Sequence, residues 1–435
     1  MKFNYILTAL FFLFLTVFLA SPAFSAKQQF TPLIIISEEY TDNFNQSKNN
    51  KDDEFSTRYQ VGLSFGVVDK QNSFFIAYNP NYIDYMDKNE NDSLNHSVSL
   101  DAVLQTSQNT ILSFSDSFDK SLSRTVRTNS FEQHDTNTGT AAFRYQFGKN
   151  NFFNLSYTYA FDNYDTPNID EFETHRPSAY MMYWFTPKFG LDLNASYSKT
   201  AYEISFNDLE TLQGDLRFIK KINPHLDAYV KYAHTFTEQT LGDYVIYNPS
   251  IGFDWTPTED SGVSMGAGVL IQKWDNQNSE DSEDLFFELD VYKNFDFSRK
   301  GSLSITGSSG YESISEDAAS LGFNIYYDAG FLWSYRLTRQ VTAEVDGSYR
   351  IDQYDQQGID RQDNTLGVGA GLVWSPLQWL TLNLSYSFTD FNTDAAIRED
   401  YQENIGLFTI NMTPPRPAMF NSSTPRVTLE NRLFE

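Results

Sequence analysis

The chain has 435 residues, no cysteine, and a formal net charge of −26 from 57 acidic and 31 basic side chains. Such a field repels nucleic acid and anionic surfaces. The missing thiols exclude a disulfide framework, a cysteine metal site and an acyl-anchored N-terminal cysteine.

Mean hydropathy is negative, yet aromatic residues make up 16% of the chain, with 38 Phe, 27 Tyr and 6 Trp. A strand that is apolar at every second position halves its hydropathy signal, and rings suit the headgroup layers of a membrane. The start of the chain carries Lys2, an apolar run from Tyr5 to Ala20, and then Ser21-Pro22-Ala23-Phe24-Ser25-Ala26. That pattern predicts a secretory signal peptide over 1–25, cut after Ser25. No later apolar run is long enough for a spanning helix.

From Leu33 onward, apolar and polar residues alternate in segments of about ten residues. The spacing predicts strand pairs 32–42 with 56–68, 73–86 with 95–106, 110–122 with 136–148, and 151–163 with 172–186. It continues with 190–203 and 208–221, 225–238 and 244–256, and 262–274 and 284–296. The final pairs are 301–313 with 321–337, 340–353 with 363–375, and 379–391 with 401–412. Ten hairpins, or about twenty strands, define an all-β, transmembrane, antiparallel up-and-down β-barrel over 26–413, with 18 or 22 strands as alternatives.

Short turns such as Gly148-Lys149-Asn150 and Thr186-Pro187-Lys188 separate longer polar loops at 43–55, 87–94, 276–283 and 354–362. Bacterial outer-membrane barrels carry short periplasmic turns and long external loops. Counting then places both termini in the periplasm of a Gram-negative cell. Residues 414–435 form a C-terminal periplasmic extension, because Pro414 and Pro415 cannot donate to a ladder.

Successive strand side chains point to opposite faces. One face collects Tyr59, Val61, Leu63, Phe65 and Val67, then Phe153 through Phe161 at odd positions, Leu366 through Trp374 at even ones, and Leu380, Leu382, Leu384, Tyr386 and Phe388. Phe408, Ile410 and Met412 continue it on the closing strand. The other face is small and polar, as in Ser264, Gly266, Gly268 and in Gly367, Gly369, Gly371. A barrel this wide is not filled by side chains alone, so the second face lines a wet bore.

Charged residues in the inward register are Asp101, Arg144, Asp192, Asp215, Arg217, Asp227, Lys231, Asp254, Glu288, Asp290, Asp328, Arg336, Glu344, Asp346 and Arg350. They read either as a lumen ladder that selects solutes or as wall ion pairs that satisfy one another. The strongest acidic rows lie on 284–296 and 340–353, with Arg336 and Arg350 as their expected partners. Acidic clusters at Asp52-Asp53-Glu54, Glu280-Asp281-Ser282-Glu283-Asp284 and Glu399-Asp400 are of a kind that can hold calcium or bridge to lipopolysaccharide. None fits the twelve-residue calcium loop, and solvated loop carboxylates are the simpler reading, so no metal or cofactor is assigned. The five histidines, His96, His134, His175, His225 and His234, fall in no catalytic motif, and no enzyme activity is expected.

The first strand reads Ile34-Ile35-Ile36-Ser37-Glu38-Glu39-Tyr40-Thr41-Asp42-Asn43. It resembles the S-E-x-Y-x-D-N opening of an outer-membrane β-barrel family encoded beside bacterial exopolysaccharide systems. The resemblance implies a passive conduit for a nascent polysaccharide. It also implies partners in outer-membrane lipid and lipopolysaccharide, the barrel-assembly machinery and periplasmic export components. The inward list is more acidic than basic, unlike the basic interior expected of alginate-export barrels, and suits a neutral or partly cationic polymer unless loops or plugs mask the field. A general or solute-selective porin and a non-conducting scaffold barrel remain alternatives.

Overall fold

Alternation on this scale leaves each strand one face for lipid and one for water, and in a membrane every strand edge must find a partner. The computed structural model meets that demand with one closed antiparallel sheet. It describes residues 27–414 except 125–130, 167–170, 204–207, 240–241, 276–280, 299, 314–322, 357–358 and 395–398. The expected leader, and the tail beyond Pro414, lie outside the described residues.

The strands in chain order are β1 Lys27–Thr41, β2 Glu54–Val68, β3 Asn72–Tyr78, β4 Asn81–Tyr85, β5 Ser93–Ser107, β6 Thr110–Arg124 and β7 Phe131–Gly148. They continue as β8 Asn151–Tyr164, β9 Phe172–Thr186, β10 Phe189–Tyr202, β11 Leu209–Asn223, β12 Leu226–Gln239, β13 Tyr244–Thr258 and β14 Ser261–Trp274. The last are β15 Ser282–Ser298, β16 Gly301–Ser313, β17 Phe323–Arg336, β18 Val341–Gln356, β19 Ile359–Leu377, β20 Leu380–Thr393 and β21 Tyr401–Met412. Among the described residues no helix is long and apolar enough to cross a membrane.

The expected strand 73–86 is divided into β3 and β4 at Asn79-Pro80. Proline brings no N–H to a ladder. Both segments lie between β2 and β5 in one unbroken register, with Leu63 opposite Tyr78 and Gln60 opposite Asn81. They therefore fill one wall position, and the wall has twenty. The expected loop 354–362 is mostly ladder instead, since Tyr354 pairs with Arg361, Asp355 with Asp360 and Gln356 with Ile359. Side-chain contacts outweigh the polar composition there: Arg361 lies over the Tyr354 ring and pairs with Asp363.

One face of the cylinder carries most of its large exposed apolar side chains. Val61, Leu155, Val230, Ile251, Leu366 and Leu384 all belong to it. Ile251 is 64% exposed and Leu384 56%, which is tolerable only where lipid replaces water. Leu384 pairs with Leu372 on one side and Phe408 on the other, so three strands present one oily row. Rings gather near the short-turn end in Tyr145, Phe147, Phe185, Phe189, Trp255, Phe297, Trp374 and Trp379. That position matches an interfacial girdle.

Closure is made by β1 on β21, from Ile34 opposite Met412 to Thr41 opposite Ile405. The first-strand motif concentrates on this junction. The Ser37 hydroxyl lies 3.1 Å from that of Thr409. Thr41 donates to Glu403 at 2.8 Å. The Asp42 carboxylate accepts the Asn404 backbone N–H and side-chain amide, each at 2.7 Å. Asn43 is fully buried; its amide donates to the carbonyls of Gln402 and Ser47, and its Oδ1 accepts the Ser47 N–H.

Two of the acidic clusters also tie loops together. Glu399 accepts from Ser47 and Lys48, and Asp400 pairs with Lys48 at 2.7 Å. Asp52 pairs with Lys88, and buried Glu54 accepts the Asp87 N–H at 3.1 Å. Of the third cluster, Glu280 lies outside the described residues, and Asp281 accepts the Trp274 N–H.

Three outcomes check this architecture. Leu384→Arg should cost about 2–4 kcal/mol by putting a cation among lipid chains, whereas Ser385→Arg should fold normally; urea midpoints in bilayers compare them. Asn43→Ala should lower stability by about 1–3 kcal/mol through stranded backbone groups at the junction, read as an earlier loss of heat-modifiable migration on gels. The hydrogen bond and charge of Lys48 hold the Asp400 carboxyl below its usual range and raise the Lys48 ammonium above its own. A carboxyl held low stabilises above its unfolded pKa of about 3.9 and loses that effect as pH falls through the lowered value. Hydrogen exchange in 43–53 should therefore stay slow through mild acid and quicken only below it, and Lys48→Gln should move that onset to higher pH.

Candidate functional site: the charged bore

The inward register can be followed from strand to strand. Asp101 stands on β5 between Phe75 and Ser115. Arg144 on β7 faces Ile111 and Asn154. Asp192 on β10 faces Arg217 on β11, and Arg217 faces Lys231 on β12. Asp215 lies two residues along from Arg217, and Asp227 faces Asp254 across β12 and β13. Glu288 and Asp290 on β15 face Gly266 and Ser264. Asp328 on β17 faces Arg350, Arg336 faces Thr342, and Glu344 and Asp346 on β18 face Gly371 and Gly369. All fifteen thus share the face opposite the oily rows. Gly369 leaves open the space into which the Asp346 carboxylate extends.

These residues gather into two groups. On the β10–β15 wall, Arg217 pairs with Asp254, which also accepts from Ser264 at 2.7 Å. Asn194 donates to Asp215 at 3.2 Å. Lys231 reaches across two intervening strands to grip both oxygens of Glu288, at 2.9 and 3.2 Å. On the far wall, Arg350 clasps Asp352 through Nε and Nη2, and Asn324 donates to the same carboxylate at 2.6 Å. Arg361 holds Asp363 in the same way, and Thr393 also donates to that carboxylate.

Arg350 does pair with a carboxylate of the 340–353 strand, and Arg336 does not. The partner of Arg350 is Asp352, two residues along its own strand and on the same face, while Arg336 makes no ion pair among the described residues. Alternation places residues i and i+2 side by side, so this nearer carboxylate wins.

Each of the paired guanidiniums also lies on an aromatic face. Arg217 sits 3.9 Å from the Tyr229 centroid, Arg350 4.8 Å from Tyr326 and Arg361 4.8 Å from Tyr354; Arg144 lies 4.1 Å from Phe152. Stacking and ion pairing together fix the flat cation against the wall, so it lines the bore without crossing it. The wall is therefore a ladder of charges in which Arg217, Lys231, Arg350 and Arg361 are each paired with a carboxylate. Neutralisation is incomplete, since the fifteen include more carboxylates than bases.

Sequence reading missed Asp352, Arg361 and Asp363; the signal was there, in an Arg followed two residues later by Asp at both places. It also missed ionisable groups on the outer face. Register puts Asp116, Glu173, His175, Lys199 and Glu210 in phase with the lipid-facing rows. They are partnered: Asp116 by Asn137 at 3.2 Å, His175 by Tyr157 at 2.6 Å, Glu173 by Tyr159 at 3.2 Å, and Glu210 by Lys199 and Tyr197 at 2.6 and 2.7 Å. Charges at such depth are affordable only when paired or near the headgroups.

This geometry defines an outer-membrane-type β-barrel. Residues 302–413 match the family described as "Putative beta-barrel porin 2". No curated protein matches the chain. Among solved structures it is similar to the siderophore receptor PirA from Pseudomonas aeruginosa, at 9% identity and a TM-score of 0.53, covering 89% of this chain and 81% of that one. PirA from Acinetobacter baumannii gives 7%, 0.52, 89% and 81%. The FrpB iron transporter from Neisseria meningitidis gives 11%, 0.54, 88% and 81%. At such identities the likeness is one of fold.

Arg217→Met tests the network. It leaves Asp254 with a neutral partner, so stability should fall by about 1–3 kcal/mol. Where the barrel conducts, the reversal potential in a salt gradient should move toward greater cation preference.

Proposed function

We propose that this barrel is an outer-membrane channel through which a polysaccharide leaves the cell passively, driven from elsewhere. The observation that carries the channel reading is the inward face itself: small and polar residues broken by charges, with Arg144, Arg217, Arg350 and Arg361 stacked flat on aromatic rings of the wall. Long runs of that face, such as Gly367, Gly369 and Gly371 beside Ser385 and Ser387, have the smooth hydroxyl and glycine lining a sliding polymer needs. The resemblance of the first strand supports the polysaccharide, and the net acidity of the lining favours a neutral or partly cationic chain. In this reading both termini lie in the periplasm, lipopolysaccharide surrounds the long-loop end, and the assembly machinery and periplasmic export components are the partners.

The porin match favours a second reading, in which the same bore passes small solutes. The two part experimentally. In planar bilayers the purified protein should conduct with cation preference; silence would leave only a scaffold. Deletion of the gene should abolish surface polysaccharide while small-solute uptake stays normal. Normal polysaccharide with slowed solute uptake would establish the porin instead.

A further inference from the structure

Three inward-facing residues on neighbouring strands meet toward the long-loop end of the wall. Ser121 on β6 stands directly opposite His134 on β7, and Asp162 on β8 lies one diagonal step away, opposite Thr136. The odd positions of β8 from Phe153 to Phe161 form a lipid-facing row, so Asp162 and Tyr164 fall on the bore side with their partners. The Ser121 hydroxyl is 3.2 Å from His134 Nε2, and His134 Nδ1 is 2.9 Å from Asp162 Oδ1. Tyr164 donates to the other Asp162 oxygen at 3.2 Å, and its ring stacks on the imidazole with centroids 5.2 Å apart. Separations of 13 and 28 residues along the chain keep this set out of any local motif; the ladder assembles it.

The order of contacts fixes the protons. An ionised carboxylate only accepts, so Asp162 requires the proton on Nδ1. A neutral imidazole then presents its Nε2 lone pair to Ser121, which donates. Nucleophile, base and orienting carboxylate in this relation activate a hydroxyl for acyl transfer. His96 and His175 differ, since they meet the phenols of Tyr78 and Tyr157 at 2.8 and 2.6 Å. The His134 and Asp162 side chains are 14% and 12% exposed, so base and carboxylate are shielded, while Ser121 is only partly covered. On the other side of Ser121, Asn95 accepts the Leu122 N–H at 3.1 Å and donates to Asn81 at 3.2 Å.

We propose that Ser121, His134 and Asp162 form a hydrolytic site for short carboxylic esters borne by neutral or cationic sugars. Ser121 Oγ adds to the ester carbonyl carbon as His134 Nε2 takes its proton. The second hydrogen of the Asn95 amide is the donor this wall offers to the oxyanion. The ester C–O bond then breaks, and the imidazolium returns the proton to the departing sugar oxygen. Water adds to the acyl-serine in the same way; its proton passes through Nε2 to Oγ, and a carboxylic acid leaves. Asp162 and Tyr164 are positioning residues that hold the imidazole.

The surroundings choose the substrate. A site on the inward register faces away from lipid esters. Its inward neighbours Ser117, Asp119 and Thr136 are polar, which suits an acetyl group rather than a long acyl chain. The carboxylates of Asp119 and Asp162 repel an anionic ester. That a sugar bears the ester rests on the channel reading; the hydrolysis does not.

The purified barrel in detergent tests this, with heat-modifiable migration reporting the folding of each variant. It should hydrolyse p-nitrophenyl acetate but not p-nitrophenyl palmitate, and a fluorophosphonate should label Ser121, located by mass spectrometry. Ser121→Ala should lose the label and fall to the uncatalysed rate. His134→Ala should slow hydrolysis and labelling by about 10²–10⁴-fold. Asp162→Asn should slow both by about 10²-fold or more with migration unchanged, which a merely structural carboxylate would not do. Folded protein that neither labels at Ser121 nor cleaves the acetate would overturn the site, as would a rate that survives Ser121→Ala or a preference for palmitate. Acetate released from acetylated xylan as well as glucose pentaacetate supports a polymer as the source, and release from glucose pentaacetate alone supports a small sugar; release from neither would overturn the sugar ester. None of these assays needs passage through the bore, so silence in planar bilayers would remove the channel reading and leave the hydrolase standing.

Discussion

Lipid offers a backbone no hydrogen bonds, and that demand organises this molecule. A strand in a bilayer must be laddered on both edges, so the sheet must close, and closure joins the most distant parts of the chain. Here β1 meets β21 over only part of its length, from Ile34 to Thr41. The junction is short, and side chains reinforce it above the ladder: Asp42 and Asn43 reach Gln402 and Asn404, and Lys48 reaches Asp400. The residues that resemble a family signature therefore serve as a clasp. Their place at the end of the first strand has a mechanical meaning independent of what the bore carries.

The same demand explains the two faces. Once edges are satisfied, stability comes from sorting side chains between lipid and water, and a register error would move a whole row to the wrong side. The division at Asn79-Pro80 shows how strongly register is held, since β3 and β4 interrupt a ladder without shifting it. Inside, the charges are managed by pairing and stacking. Arg217 between Asp254 and the Tyr229 face is both neutralised and immobilised, so it shapes the field of the bore without obstructing it.

Much of this was legible in the residues. Alternation in Leu380 through Phe388 and in Leu366 through Trp374 gave strand, length and face together, because period two is a local property. Strand ends were less legible: the polar stretch around Tyr354 and Arg361 reads as loop, and its ladder is held by contacts no periodicity records. Charge partners were illegible wherever they cross strands. The reach of Lys231 to Glu288 depends on stagger and curvature, and neither is written in either strand alone. The packing of Tyr311 against Tyr244, Ile246, Leu270 and Phe286 was hidden for another reason, since its parity is that of the lipid-facing row and only tertiary contact puts it elsewhere.

The outer-face groups His175 and Lys199 mark where the oily rows of β9 and β10 stop on the long-loop side. On β9 the apolar outward row runs from Phe185 to Pro177 before His175, and on β19 from Trp374 to Leu366 before Asn364. Rows of matching length ask little thinning of a bilayer on either flank. The polar side chains that end them draw the boundary between acyl chains and headgroups, so the depth of insertion is encoded in the skin.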